Sequence, residues 1–246
     1  MNNTLAVVIP AYNEARTIAD VATRALAQIE QVVIVDDGSD DATVEQLHGM
    51  PVTVLQHKTN QGKAASLWTG MQHALTLGAD AVITLDGDGQ HRPEDIPRLL
   101  AAAQNPTDII IAARLKGRTQ VPRARRFANG MADFWIAWAA GYPLHDTQSG
   151  FRCYPASLLR QLKIPHSRPY SFVFESELLI EAARLGYYAK ALAIDAIYPP
   201  QARTSHYHPW IDTSRIVRMV AWKLLSRGLY IPGLLRSLGI LPSPVK

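Results

Sequence analysis

Short β-branched runs recur along the first part of the chain, over residues 5–9, 31–35, 52–56, 81–85 and 108–112. Between them, residues 17–29, 42–47, 63–77 and 93–103 have helical composition or periodicity, and Pro93 suits a helix start. Strands that alternate with helices predict an α/β fold, a mostly parallel sheet with helices on both faces. From Val121 the rhythm changes. A long helix is expected near 126–140, a loop through 141–148, a strand over 151–154, a helix over 174–185 and a returning strand over 188–194. Residues 1–211 read as one domain whose pattern changes after 112, dividing it into 1–112 and 113–211.

The last stretch, 212–246, reads as a basic amphipathic helical tail. Its helix should start at Asp212 or Thr213 and stop at Gly228. At 100° per residue Val217, Val220, Ala221, Leu224 and Leu225 share one face, while Arg215, Arg218, Lys223 and Arg227 occupy the other with Met219 and Trp222. Such a helix either docks on the domain surface or rests on anionic lipid. From Arg203 onward Asp212 is the only acid, which concentrates the modest net charge of +4 at the carboxyl end. Aromatic spacing for base stacking is not evident, so a membrane is a better partner than nucleic acid.

Composition sets the outer limits. A chain of 246 residues with 48% apolar content supports one large globular domain. Cys153 is the only cysteine, which excludes an internal disulfide and a thiolate zinc site and fits a reducing, cytoplasmic setting. The start lacks the pattern of a signal peptide, and no stretch reaches the ~18 apolar residues of a membrane span. A soluble protein, or one peripheral at the inner face of the membrane, is expected.

The chemistry concentrates in Asp86-Gly87-Asp88-Gly89-Gln90-His91, directly after the buried run 81–85. Two carboxylates one residue apart repel each other unless a cation lies between them, so a hard divalent ion that also holds a phosphorylated substrate is the natural third party. Two further loops follow strands: Pro10-Ala11-Tyr12-Asn13-Glu14 after the first and Asp36-Asp37-Gly38-Ser39 after the second. Taken alone, the second is an ordinary turn. Three such loops at the carboxyl ends of neighbouring strands define the crevice where open α/β sheets bind ligands.

Other families that use an Asp-x-Asp motif fit poorly. A calcium loop counted from Asp86 needs Gly and Glu where His91 and Pro97 stand. A haloacid-dehalogenase-type phosphatase wants Thr or Val at Gln90 and its motif on the first strand. A sugar nucleotidyltransferase wants a Gly-rich loop after strand one, and the dinucleotide-binding Gly-x-Gly-x-x-Gly is missing.

With Asn60-Gln61-Gly62-Lys63 added, the order and spacing of these motifs resemble the inverting, GT-A-fold glycosyltransferases of family two, over residues 5 to about 195. Gln90-His91, Ala113-Arg114 and Asp146-Thr147-Gln148-Ser149-Gly150-Phe151-Arg152 extend the likeness to dolichyl- and polyprenyl-phosphate mannosyl- or glucosyltransferases. The resemblance implies that Pro10, Tyr12, Glu14, Asp36 and Asp37 surround the nucleotide, that Lys63 contacts it, and that Asp86, Asp88 and Gln90 bind Mg²⁺ or Mn²⁺ with the donor diphosphate. It further implies that Arg114, with Arg123, Arg125 and Arg126, serves an acceptor phosphate or the departing diphosphate. The same arginines also suit a solvated helix start.

Asp146 is open between two roles, a base for a hydroxyl acceptor or a cap for the following turn. Glu175 and Glu177 resemble an acidic helix start, which a helix dipole alone would explain. His206 and His208 suit a loop over the donor pyrophosphate, and their segment departs from the polyprenyl-phosphate pattern.

The expected activity is transfer of a hexose from a nucleotide-diphosphate sugar to a membrane lipid acceptor, foremost a polyprenyl phosphate. Transfer to a hydroxyl of a glycolipid, glycan or other apolar acceptor, with Asp146 as base, is the first alternative. A non-catalytic nucleotide-sugar or lipid-binding scaffold is the second.

Overall fold

The computed structural model describes residues 4–116, 123–163, 173–195 and 209–244, with backbone alone at 116, 123–128 and 209–213. Seven strands form one sheet in the order β3-β2-β1-β4-β6-β5-β7. They are β1 (Leu5–Ala11), β2 (Gln31–Asp36), β3 (Thr53–Gln56), β4 (Ala81–Thr84), β5 (Asp108–Lys116), β6 (Arg152–Pro155) and β7 (Tyr188–Asp195). All neighbouring pairs are parallel except those made by β6, which runs antiparallel to both β4 and β5. The expected α/β architecture stands, with the reversed strand as its one departure from parallel pairing.

Period-2 alternation sends successive residues of each strand to opposite faces. Ala6, Val8, Val33 and Val35 join a cluster under the helices α2 (Lys63–Thr76), α4 (Arg123–Ala140) and α6 (Phe174–Arg184). Val7, Ile9, Val32 and Ile34 join a second cluster under α1 (Ile18–Leu26) and α3 (Ile96–Ala102). Two buried faces explain why these strands read as unbroken apolar runs. Helix α2 lies so close to β1 that a Cβ on Gly70 would meet Val8 Cγ1 at 2.4 Å.

Two expected helices differ. Residues 42–47 yield only a single 3₁₀ turn, Glu45–Leu47, and 93–103 divides into a 3₁₀ turn, Pro93–Asp95, followed by α3. A short helix after β6, α5 (Ala156–Gln161), was not expected, since six residues are too few for a periodic signal.

The carboxyl end adds α7 (Pro209–Leu225), a 3₁₀ turn and α8 (Ile231–Ser237). Helix α7 opens before the expected Asp212 and is rotated from the expected face. Ile216, Met219, Val220 and Leu224 are buried in the main cluster, while Val217, Ala221, Trp222 and Leu225 are exposed. The sequence-derived face included Val217, Ala221 and Leu225 and excluded Met219; the structure corrects all four. Lys223 accounts for the rotation. It lies within the buried stripe, where its ammonium meets Glu177 at 2.9 Å and also Glu181, both on α6.

Candidate active site

The loops after β1, β2 and β4 lie side by side, because those strands are adjacent and parallel in the order β2-β1-β4. Strand order reverses between β1 and β4, the kind of switch point at which open α/β sheets bind ligands.

The Asp36-Asp37-Gly38-Ser39 loop mostly holds other loops. Ser39 donates to Asp36, and the Asn13 backbone N–H donates to Ser39 Oγ at 2.8 Å, which ties the first loop to the second. Asp37 is 3% exposed. Its Oδ1 accepts from Gln61 N–H at 2.9 Å and contacts His57 Nδ1 at 2.7 Å; Oδ2 accepts from Gly62 N–H at 2.7 Å. Both oxygens are therefore occupied by the segment that delivers Lys63. Gly38, at φ 71°, would set a Cβ 2.9 Å from the Thr59 carbonyl carbon, so a residue with a side chain could not bring the two loops this close.

Lys63 begins α2 and points its ammonium at Asp86 Oδ1, 2.6 Å away. The same ammonium lies 3.4 Å from Glu175 Oε2 on the first turn of α6. Burial would lower the Lys63 pKa, but Asp86 and Glu175 outweigh it and hold the ammonium well above the usual lysine range. Burial would likewise raise Asp86, yet the Lys63 charge and the His91 hydrogen bond drive its carboxyl far below the usual carboxylate range. Asp88 moves the opposite way. Burial and the neighbouring Asp86 charge push it up, against the opposing Gln90 backbone N–H, which donates to Asp88 Oδ1 at 3.0 Å. Two acids one residue apart are thus shifted in opposite directions: Asp86 is balanced by Lys63, and Asp88 has no ion-pair partner among the described residues.

Behind this turn, residues 146–151 cross from β5 to β4. Thr84 Oγ1 donates to the Gly150 carbonyl at 2.7 Å, and Ser149 Oγ donates to the Ala112 carbonyl at 2.7 Å. A Cβ on Gly150 would fall 2.5 Å from Asp86 Oδ2 and 2.8 Å from Lys63 Nζ, so only glycine lets the ion pair form there. Arg152, fully buried, donates to the carbonyls of Ser149, Thr147 and Glu175 and to the Tyr154 hydroxyl. One guanidinium thereby fixes the crossing loop and the start of α6 together.

Asp146 is 5% exposed and sits at φ 48°. Its Oδ2 accepts from the Arg114 backbone N–H at 2.7 Å and from Nε at 3.0 Å, and Oδ1 accepts from Nη2 at 2.8 Å. Asp133 on α4 accepts the backbone N–H groups of Asp146 and Thr147, at 3.0 and 2.8 Å. Burial raises the Asp133 carboxyl against these donors.

The structure brings Lys63, Asp86 and Glu175 into contact, with Asp88, Gln90 and His91 on the same turn. It places Pro10 within β1 and Tyr12 and Glu14 on the loop that follows, and sets Arg114 with Asp146 at the end of β5. Arg123, Arg125 and Arg126 fall on the first turn of α4, where backbone alone is described. The His206 and His208 segment lies outside the described residues. Sequence reasoning missed the contact of Glu175 with Lys63, the support from Asp133 and the buried bracing by Arg152. None of these has a local signature, because each joins segments far apart in the chain.

A model of glycosyl transferase family 2 matches residues 6–174. The chain belongs to that family and is a glycosyltransferase of the GT-A fold. Among curated relatives, the UDP-N-acetylglucosamine–dolichyl-phosphate N-acetylglucosaminyltransferase of Methanococcus voltae is 29% identical, over 63% of this chain and 70% of its own length. An undecaprenyl-phosphate mannosyltransferase of Micrococcus luteus is 28% identical, over 73% of this chain and 77% of its own. The crystal structure of glucosyl-3-phosphoglycerate synthase from Mycobacterium tuberculosis with Mn²⁺, UDP and glucosyl-3-phosphoglycerate has the same fold. It superposes with a TM-score of 0.64 at 23% identity, covering 92% of this chain and 80% of that one.

Proposed function

We propose that this glycosyltransferase moves a hexosyl group, with inversion, from a nucleotide-diphosphate sugar to a polyprenyl phosphate at a membrane surface, using Mg²⁺ or Mn²⁺. The acid turn after β4 carries the proposal. Asp88, raised by burial and by Asp86, lies on the turn after β4 with no ion-pair partner among the described residues. Mg²⁺ usually takes one or two carboxylates together with substrate phosphates rather than an all-protein cage. Asp86, Asp88 and Gln90 offer such an oxygen-only set. No group of three or more His, Cys, Asp or Glu side chains able to hold a metal occurs among the described residues, which suits a metal completed by its substrate.

When bound, the metal would neutralise the leaving nucleoside diphosphate as the sugar carbon gains oxocarbenium character. Lys63 adds a positive charge on the same side. Pro10, Tyr12, Glu14 and Asp36 frame the base and ribose, and Asp37 acts through the 57–62 loop that it holds. Arg114 and Arg126 receive the acceptor phosphate with guanidinium forks. A lipid phosphate is already ionised near neutral pH and needs no base, so Asp146 can keep both oxygens on Arg114. A hydroxyl acceptor would require Asp146 to release that arginine before taking a proton.

The relatives named for dolichyl and undecaprenyl phosphate support the lipid acceptor. The carboxyl-terminal face supports the membrane. Val217, Trp222, Leu225, Leu229, Ile231, Leu238 and Ile240 are exposed apolar residues beside the exposed Arg215 and Arg218. No helix among the described residues is long and apolar enough to cross a membrane, so contact would be peripheral.

The test is transfer from labelled UDP- and GDP-hexoses to dolichyl or undecaprenyl phosphate with Mn²⁺. Label should enter the organic phase only when lipid phosphate and metal are both present. Label that stays in the aqueous phase under every combination overturns the reading.

A further inference from the structure

We infer that Glu175 is a positioning residue: it receives the Lys63 ammonium when Asp86 releases it to a divalent cation. The inference rests on the metal reading above and concerns what must happen to a lysine already bound where the cation arrives. Lys63 Nζ is 2.6 Å from Asp86 Oδ1 and 3.4 Å from Glu175 Oε2, so it leans on Asp86 with Glu175 as its second acceptor. The other Glu175 oxygen, Oε1, is buried and accepts no hydrogen bond among the described residues. A buried carboxylate oxygen without a donor is uncommon and costly unless something comes to occupy it.

The surroundings fix which member moves. The backbone of Glu175 is held by Arg152, whose Nη1 donates to its carbonyl at 2.8 Å, and the next turn of α6 is tied to α7 by Lys223. The backbone of Asp86 follows β4 directly. Gly150 walls the ion pair closely enough that a Cβ would touch both partners. His91 Nε2, 3.7 Å from Asp86 Oδ2, is the remaining nitrogen beside that carboxylate. With both carboxylate backbones held, the four-carbon stem of Lys63 is the longest flexible arm of the three groups.

A divalent cation at Asp86 repels an ammonium already there, because like charges a few ångströms apart in a partly buried site interact strongly. Glu175 resolves the conflict. It keeps the ammonium paired after Asp86 is lost and places it beside the crevice, where a diphosphate would lie. Removing the charge of Lys63 should therefore help the cation, and removing the charge of Glu175 should hinder it. A purely structural role would shift both variants the same way.

Mn²⁺ binding, read by the paramagnetic resonance of the free ion, separates these outcomes without turnover. Titrations of the full chain are made with Mn²⁺ alone, with saturating UDP and with saturating GDP. Asp88→Asn reports which binding belongs to this site, and a retained cooperative melting transition verifies that each variant is folded. Lys63→Met should tighten the Asp88-dependent binding, and Glu175→Gln should weaken it, each on the order of tenfold, the scale of one charge beside a carboxylate. Equal signs, or no change in either variant, overturn the inference and leave the metal site standing. The absence of Asp88-dependent binding in all three titrations overturns the metal reading and the inference with it.

Discussion

At the carboxyl edge of β1, β2 and β4 most acids already have a protein donor. Asp36 has Ser39, Asp37 has the 57–62 loop, Asp86 has Lys63, and Asp146 has Arg114. The last helices do the reverse: Trp222 is 70% exposed, Leu225 and Ile240 each 65%, and α7 is apolar on two sides. In the first region Asp88 accepts from the Gln90 N–H but has no ion-pair partner among the described residues; the second leaves a whole face exposed. The difference teaches how each region meets its partner. A preorganised polar site accepts a small charged ligand with little rearrangement, whereas an unpartnered apolar face fits an extended apolar surface.

The sharpest way to break this comparison is at Asp88, which no side-chain cation balances among the described residues. Asp88→Asn should lower transfer by roughly 10²–10³-fold, the scale of losing one electrostatic contact to developing charge. The melting temperature should hold or rise, since the amide relieves repulsion with Asp86. A variant that loses stability along with activity would make Asp88 a structural residue like its neighbours.

Arg152→Met tests the closed side. It removes the guanidinium donors to the Ser149, Thr147 and Glu175 carbonyls. Urea unfolding should show a loss of about 3 kcal/mol. A loss below about 1 kcal/mol would mean that the crossing loop stands without its guanidinium.

Helix α7 offers a paired test of the other region. Met219→Ala should cost about 2–3 kcal/mol as a buried truncation, whereas Leu225→Ala should stay within about 0.5 kcal/mol. Vesicle co-sedimentation should rank them oppositely. Trp222→Ser combined with Leu225→Ser should weaken binding to anionic vesicles about tenfold, the order of a few exposed apolar groups withdrawn from lipid. Undiminished binding would move the membrane contact away from α7.

What the sequence reveals divides along the same line. The strands, the Asp86 turn and the Lys63 loop are legible because each is contiguous: an apolar run, a turn and a helix start carry their own periodicity and turn chemistry. The face of α7 is not, because a helix apolar on two sides has no unique buried stripe until its neighbours are known. Lys223 settles it by pairing with Glu177 and Glu181 on α6. Glu175, Asp133 and Arg152 escape for the same reason, as each is defined by a partner on a different element. The reversed direction of β6 is equally silent, since an apolar strand buried on both faces looks alike in either direction.

The smallest expected effect lies at the rim of the acid-bearing loops, where a polar pair is exposed. Arg24 on α1 donates from Nε and Nη2 to the two oxygens of Glu94, each at 2.8 Å, and so ties α1 to the 3₁₀ turn that follows the acid turn. The Arg24 hydrogen bond lowers the Glu94 carboxyl from its ordinary 4.5 to about 2, against a smaller opposing effect of burial. A depressed carboxyl stabilises the fold above the unfolded value, so the contribution is complete above pH 4.5 and fades as the pH falls through about 2. Because the pair faces solvent, Glu94→Gln should cost only about 0.5 kcal/mol or less near neutrality. Urea unfolding across this range should show wild type and variant converging at the acid end and, with added salt, at neutral pH as well. A difference that persists in acid would mean that Glu94 acts through packing, and that the acid-bearing loops rely on their rim as well as on their buried core of paired acids.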